Sequence, residues 1–190
     1  DSAIIGSYYD DDLGGNSGSA YVYRQDGDVW TEENKLTASD GAADNRFGFA
    51  VSIIGDVVIV GSYYDDDLGS NSGSAYIYRR EGITWTEEKK LTASDGAYSD
   101  FFGATVSISP DIAIVGSLFG ENSGRNSGAA YAYFRNGGEW AQEMKFVGTD
   151  IISNDNYFGN AVSISGDTVI IGSPRDDDAG DNAGSVYIVR

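Results

Sequence analysis

Three consecutive aspartates recur along this chain, as Asp10-Asp11-Asp12, Asp65-Asp66-Asp67 and Asp176-Asp177-Asp178, each followed four residues on by Asn16, Asn71 or Asn182. Carboxylates and amide carbonyls are hard oxygen donors, the type calcium gathers six to eight of. In an extended segment alternate side chains share a side. Asp10 with Asp12, Asp65 with Asp67 and Asp176 with Asp178 are therefore paired candidates for Ca2+, with Asn16 and Asn71 as further ligands. A second set of acids, Asp40, Asp44, Asp95, Asp100, Asp150 and Asp155, stands in another loop of each repeat and could complete such a site. The alternative is a solvated loop whose aspartates cap their own backbone. One repeat reads Leu118-Phe-Gly-Glu-Asn122 instead and is expected to bind a cation worst.

Aromatics flank these acids. Tyr8-Tyr9 and Tyr63-Tyr64 open two of the loops and read first as half-buried anchors, with stacking on a sugar ring as the alternative ligand-binding role. Trp30, Trp85 and Trp140 are spaced by 55 and are expected to pack between neighbouring sheets; a sugar platform is the lesser reading. The chain has no histidine and no cysteine, which removes imidazole bases and ligands, thiolate nucleophiles and zinc-thiolate sites. A glycosidase needs two carboxylates at a set separation, and acids are plentiful. Near-identical acids in successive repeats argue against catalysis, because an active site breaks repeat symmetry. A lyase with a tyrosine base stays open, but no tyrosine is marked out.

The 190 residues carry 30 acidic and 12 basic side chains, net −18. Such a chain repels phosphate backbones, so nucleic acid is a poor partner, and divalent cations or basic surfaces are better ones. A surface kept soluble in salty surroundings is the bland alternative. No run is long and apolar enough for a membrane-spanning helix.

These residues need a scaffold, and its period is visible. The glycines of Ile-Gly-Ser and Val-Gly-Ser fall at 6, 61, 116 and 172, steps of 55, 55 and 56. Within one period four short strands follow: A (Phe47 to Ile53), B (Val57 to Ser62), C (Ser74 to Arg79) and D (Trp85 to Leu91). Gly55-Asp56 makes a tight A–B turn, and polar loops join B to C and D to A. Four strands per tandem unit match the blade of a β-propeller better than a solenoid coil. The expected fold is all-β: a propeller of four-stranded antiparallel blades, partial or completed by another copy. Blades are expected at 1–46 (without its first strand), 47–101, 102–157 and 158–190 (without its last strand). Alternating strand direction puts every B–C and D–A loop, and so every acid above, on one face.

Phe47-Gly48, Phe102-Gly103 and Phe158-Gly159 open strand A, and Gly-Ser closes strand B. With Leu91-Thr-Ala-Ser-Asp-Gly-Ala97 before the second of these, the chain resembles the FG-GAP repeat of integrin α-subunit propellers, in its secreted bacterial branch. That resemblance implies an extracellular or cell-surface binding or adhesion module that takes a protein or carbohydrate ligand. It departs from the integrin pattern in one respect: the A–B connection is too short to encircle calcium, and the acids have moved to the other face. A polysaccharide-active enzyme and a structural piece of a larger surface protein or filament are the alternatives. The sequence begins at strand B and stops after strand C, which reads as a mature product or fragment, with self-association or a longer chain expected.

Overall fold

The computed structural model describes residues 1–120, 126–148, 155–177 and 179–190. Fourteen strands form four antiparallel sheets, each in plain up-and-down order. The first holds β1 (Ser2–Ser7), β2 (Ser19–Asp26) and β3 (Val29–Leu36). The second holds β4 (Ala50–Ile54), β5 (Val57–Ser62), β6 (Ser74–Glu81) and β7 (Thr84–Leu91). The third holds β8 (Phe102–Ile108), β9 (Ile112–Ser117), β10 (Ala129–Asn136) and β11 (Glu139–Phe146). The fourth holds β12 (Ala161–Ser165), β13 (Thr168–Ser173) and β14 (Ser185–Val189).

Alternation makes each sheet two-faced, and the faces interlock. Val22 and Leu36 of the first sheet pack with Val58, Val60, Tyr76 and Trp85 of the second. The opposite face of the second, with Ile59, Ile77 and Leu91, packs on Phe102, Val115, Tyr131 and Trp140 of the third. A third cluster, around Ile114, Phe158 and Ile171, joins the third sheet to the fourth. First strands meet across sheets (β4 with β8, β8 with β12), whereas the outer strands β3 and β7 barely touch. The sheets therefore splay like a fan, narrow along the first strands, as blades of a propeller do.

A polar seam repeats along these apolar joints. Trp85 donates its indole N–H to Glu33 of the preceding blade (3.4 Å), and Trp140 does the same to Glu88 (3.1 Å). Arg80 meets Glu33 and Arg135 meets Glu88. Tyr78 donates to the Thr37 carbonyl and Tyr133 to that of Thr92. Trp85 and Trp140 are 6% and 4% exposed, so the interblade expectation for them holds; Trp30, on the first described blade, is 46% exposed.

Strand A differs from its expected bounds. In the second blade it begins at Ala50, because Phe47 leaves the sheet to bridge Gly18 of the blade before, in parallel. Gly48 bends the chain there with φ 90°. A Cβ on Gly61 would overlap the carbonyl oxygen of Gly103, so the two halves of the motif, Phe-Gly and Gly-Ser, are one contact between successive blades.

Candidate functional site

Both sets of long loops meet on one face, and backbone hydrogen bonds tie them together. Asp44 N–H donates to Gly15 C=O, Arg46 to Asn16 and Phe47 to Ser17; Ser99, Phe101 and Phe102 do the same to Ser70, Asn71 and Ser72. Each D–A loop is thus laid along the B–C loop of the blade before it.

The three aspartates of a triplet do three different things. The first is an anchor: Asp65, 2% exposed, accepts from the Tyr76 hydroxyl (2.8 Å) and the Asn45 amide (3.4 Å). Asp10 accepts likewise from Tyr21 and Ser19, and Asp176 from Tyr187 (2.7 Å). The second folds the loop: Asp11, Asp66 and Asp177 accept from the backbone N–H of Asn16, Asn71 and Asn182. Those asparagines sit at φ 51° to 56°, the left-handed region asparagine tolerates. The Asn16 amide donates to Asp44 (2.9 Å), away from the triplet. In the first two triplets the third, Asp12 or Asp67, reaches a lysine.

Lys90, from β7, stands where a cation was expected. Its Nζ lies 2.6 Å from Asp40 Oδ2, 2.5 Å from Asp67 Oδ2 and 3.2 Å from Asp65 Oδ2, and 5.3 Å from the centre of the Tyr76 ring. Lys35 makes the same approach to Asp10 (3.0 Å) and Asp12 beside Tyr21. Lys145 pairs with Asp95 over Tyr131, in the blade without a triplet. Sheet register explains the match, because Tyr21, Tyr76 and Tyr131 are the cross-strand partners of Lys35, Lys90 and Lys145. Burial alone would lower the Lys90 pKa; its hydrogen bonds with Asp40 and Asp67 outweigh that and raise it. The Lys35 hydrogen bond, helped by Tyr21, lowers Asp10 to about 2. Burial, then the Asp65 charge, pushes Tyr76 up, so its hydroxyl remains a donor.

For calcium this donor set is a poor fit as it stands: Asp40, Asp65 and Asp67 converge on an ammonium group, and the Asn16 amide points elsewhere. Among the described residues no group of three or more acids is arranged to hold a metal ion. Asp150 and Asp178 lie outside the described residues.

Beside the acids runs a ladder of rings. Tyr9, Arg46, Tyr64, Phe101, Phe119, Tyr157 and Arg175 follow one another across all four blades. The Arg46 guanidinium lies 5.4 Å from the Tyr9 ring centre and 4.3 Å from that of Tyr64. Tyr64 and Phe101 are 5.4 Å apart, Phe101 and Phe119 5.0 Å, and Phe119 and Tyr157 5.3 Å. Arg175 caps the row 4.8 Å from Tyr157. Tyr8, Phe49 and Tyr63 thicken it, with Phe49 and Tyr63 4.1 Å apart. The row follows the narrow side of the fan, with Tyr9, Phe49 and Arg175 exposed and the others half-buried. Arg46, Phe101 and Tyr157, at equivalent positions, have φ of 56°, 53° and 54°. A left-handed backbone costs a non-glycine residue roughly 1–2 kcal/mol, and this chain accepts that three times with large side chains.

Tyr8, Tyr9, Tyr63 and Tyr64 were visible in the sequence; Arg46, Phe101, Phe119, Tyr157 and Arg175 were not. Rungs that change from Arg to Phe to Tyr leave no periodic signature. The lysines did leave one, at 35, 90 and 145.

The model of the FG-GAP repeat matches residues 30–78, 85–133 and 140–189. The chain belongs to the FG-GAP repeat family. Each matched unit starts at a tryptophan, on the last strand of one blade, and runs through the first three strands of the next. None of the curated proteins compared matches this FG-GAP chain.

Proposed function

We propose that this FG-GAP chain is an extracellular binding module, of secreted or cell-surface type, that receives a carbohydrate on the ladder along its narrow side. The observation that carries this reading is the trio Arg46, Phe101 and Tyr157. Strained backbone persists where the surroundings impose it and clusters at ligand-binding sites; here it turns three large side chains into one continuous row. Aromatic faces offer apolar area to the C–H side of a sugar ring, and their few rotamers make ordering them cheap. Arg46 and Arg175 add guanidinium donors along the row.

In this reading the acidic loops are the frame behind the platform, and Lys35 and Lys90 do the neutralising work expected of calcium. Melting curves with calcium and with chelator test that part. Agreement within about a degree fits the lysine frame, and a rise of several degrees reversed by chelator returns calcium to Asp10, Asp12, Asp65 and Asp67.

A glycan array read with the wild-type chain and with Phe101→Gly tests the platform. Saturable binding to a defined glycan set, lost in the variant, is the expected result. Binding unchanged by the substitution defeats the reading. A parallel reducing-end assay separates a binder from a polysaccharide-cleaving enzyme, since a binder releases no product. An array with no hits, together with capture of a protein ligand that depends on Phe101, would move the ligand class from carbohydrate to protein.

A further inference from the structure

Most basic side chains of this acidic chain are engaged by carboxylates. Lys35, Arg79, Arg80, Lys90, Arg135 and Lys145 each pair with at least one. Arg46 enters no ion pair among the described residues. It stands between the first and second blades, held by rings of both: Tyr9 from one, Tyr63 and Tyr64 from the other. Its Nη1 donates to the Tyr63 hydroxyl (2.6 Å), while its Nε is buried with no hydrogen-bond partner among the described residues.

Packing does not call for a cation at this place. Phe101 and Tyr157, the equivalent rungs, take the same left-handed backbone with neutral rings, so another aromatic side chain would fill it. A guanidinium brings instead a fixed charge and a planar fork of donors, the shape that matches the paired oxygens of a carboxylate or a sulfate. Aromatic faces hold such a cation without neutralising it. Beyond Arg46 the ladder is uncharged for four rungs, with Tyr64, Phe101, Phe119 and Tyr157 following in steps of 5.4, 5.0 and 5.3 Å.

We infer that the glycan taken by this ladder carries one acidic sugar, bound at Arg46, next to neutral sugars stacked on the uncharged rungs. The inference rests on the carbohydrate reading above and names the class of carbohydrate. Its acidic group is a carboxylate or a sulfate ester, since both fit the guanidinium fork. A dense polyanion is the wrong ligand for a chain of net charge −18, whose summed field repels it. A single anionic group touching Arg46 escapes most of that field, because exposed charges farther off than about 8 Å are largely screened at physiological salt. Asp65, in the loop that carries Tyr64, is buried and already bonded by Tyr76, Asn45 and Lys90.

The test uses the whole chain on an array of matched glycan sets. Each set holds a neutral oligosaccharide, the same oligosaccharide with one glucuronate, and the same with one sulfate ester. A uniformly acidic galacturonate oligomer is added as the dense polyanion. In at least one set a singly acidic form should bind about tenfold or more tighter than its neutral match, through the charge-assisted fork, and tighter than the galacturonate oligomer. Whichever acidic form leads identifies carboxylate or sulfate. In Arg46→Gln, checked for a cooperative melt, that preference should vanish while the neutral form keeps its affinity; Phe101→Gly should lose both forms. Equal binding of neutral and acidic forms, both dependent on Phe101, overturns this inference and leaves the carbohydrate platform standing. A preference that survives Arg46→Gln, or tightest binding of the galacturonate oligomer, overturns it as well. Binding of no form, or binding indifferent to Phe101, defeats the platform reading and this inference with it.

Discussion

The acidic clusters and the aromatic ladder share one face, yet the repeats treat them in opposite ways. In the first two clusters the same types recur in the same places, Asp10 and Asp65 under Tyr21 and Tyr76 with Lys35 and Lys90 on the next strand over; the third blade keeps Tyr131 and Lys145, and the fourth keeps Asp176 and Tyr187. Along the ladder the type changes, from Arg46 to Phe101 to Tyr157 and, after the shared Tyr9 and Tyr64, to Phe119 and Arg175. Sameness marks what every blade must solve, namely how to join its loops to its neighbour. Difference marks what only the assembled surface does. Acid-rich loops drew attention first because charge repeats loudly; in the proposed reading they belong to the frame.

This contrast can be broken at the frame, where the largest effects are expected. Trp140→Ala empties an interblade space and should cost about 3–5 kcal/mol, measured by urea unfolding. Trp30→Ala, half-exposed, should cost under about 1 kcal/mol; equal losses would mean that the joints between blades do not carry the stability. Lys90→Met leaves the buried Asp65 without its counter-ion and should cost about 1–3 kcal/mol, discounted because the lysine is itself partly exposed. Any dependence of stability on calcium should grow in this variant, since the ammonium no longer competes.

Acid should dissolve the frame in the same order. Asp10 titrates near 2 when folded against 3.8 otherwise, and Asp40 and Asp95 are lowered as well by their lysines and tyrosines against the opposing pull of burial. A depressed carboxylate stabilises the fold above its unfolded pKa, and that contribution is lost as the folded pKa is approached. The melting temperature should therefore fall as pH drops from about 4 to 2. A flat profile there would count against the lysine clusters.

At the ladder the smallest stability effects are expected, with the largest effect on ligand. Arg46→Gly relieves a left-handed backbone but removes a half-buried side chain and its hydrogen bond to Tyr63, so the two effects offset and the net change should stay within about 1 kcal/mol. Ligand binding should be abolished. A loss above about 3 kcal/mol would make Arg46 part of the frame after all.

Much of this was legible in the sequence. Steps of 55 and the two-residue turn at Gly55-Asp56 carried the blade order, the shared loop face and the sheltered tryptophans, because strand alternation and turn chemistry act locally. Strand A was drawn too long at Phe47, where a contact with the previous blade overrides the local apolar pattern. The ion pairs were harder: Lys90 and Asp40 are 50 residues apart, and only the cross-strand register of Tyr76 with Lys90 brings them together. The ladder was least legible, since its order is spatial and its members share no single type.

The offset between sequence unit and blade has a consequence for how such chains change length. Each matched unit brings the fourth strand of one blade and the first three of the next, so a copied or deleted unit never leaves a bare joint inside the array. A tandem duplication arrives with its own tryptophan for the blade behind and its own Glu33-type acceptor for the blade ahead. Unequal crossing-over at any of these boundaries therefore yields a chain that still interlocks, so blade number can change without opening a joint inside the array.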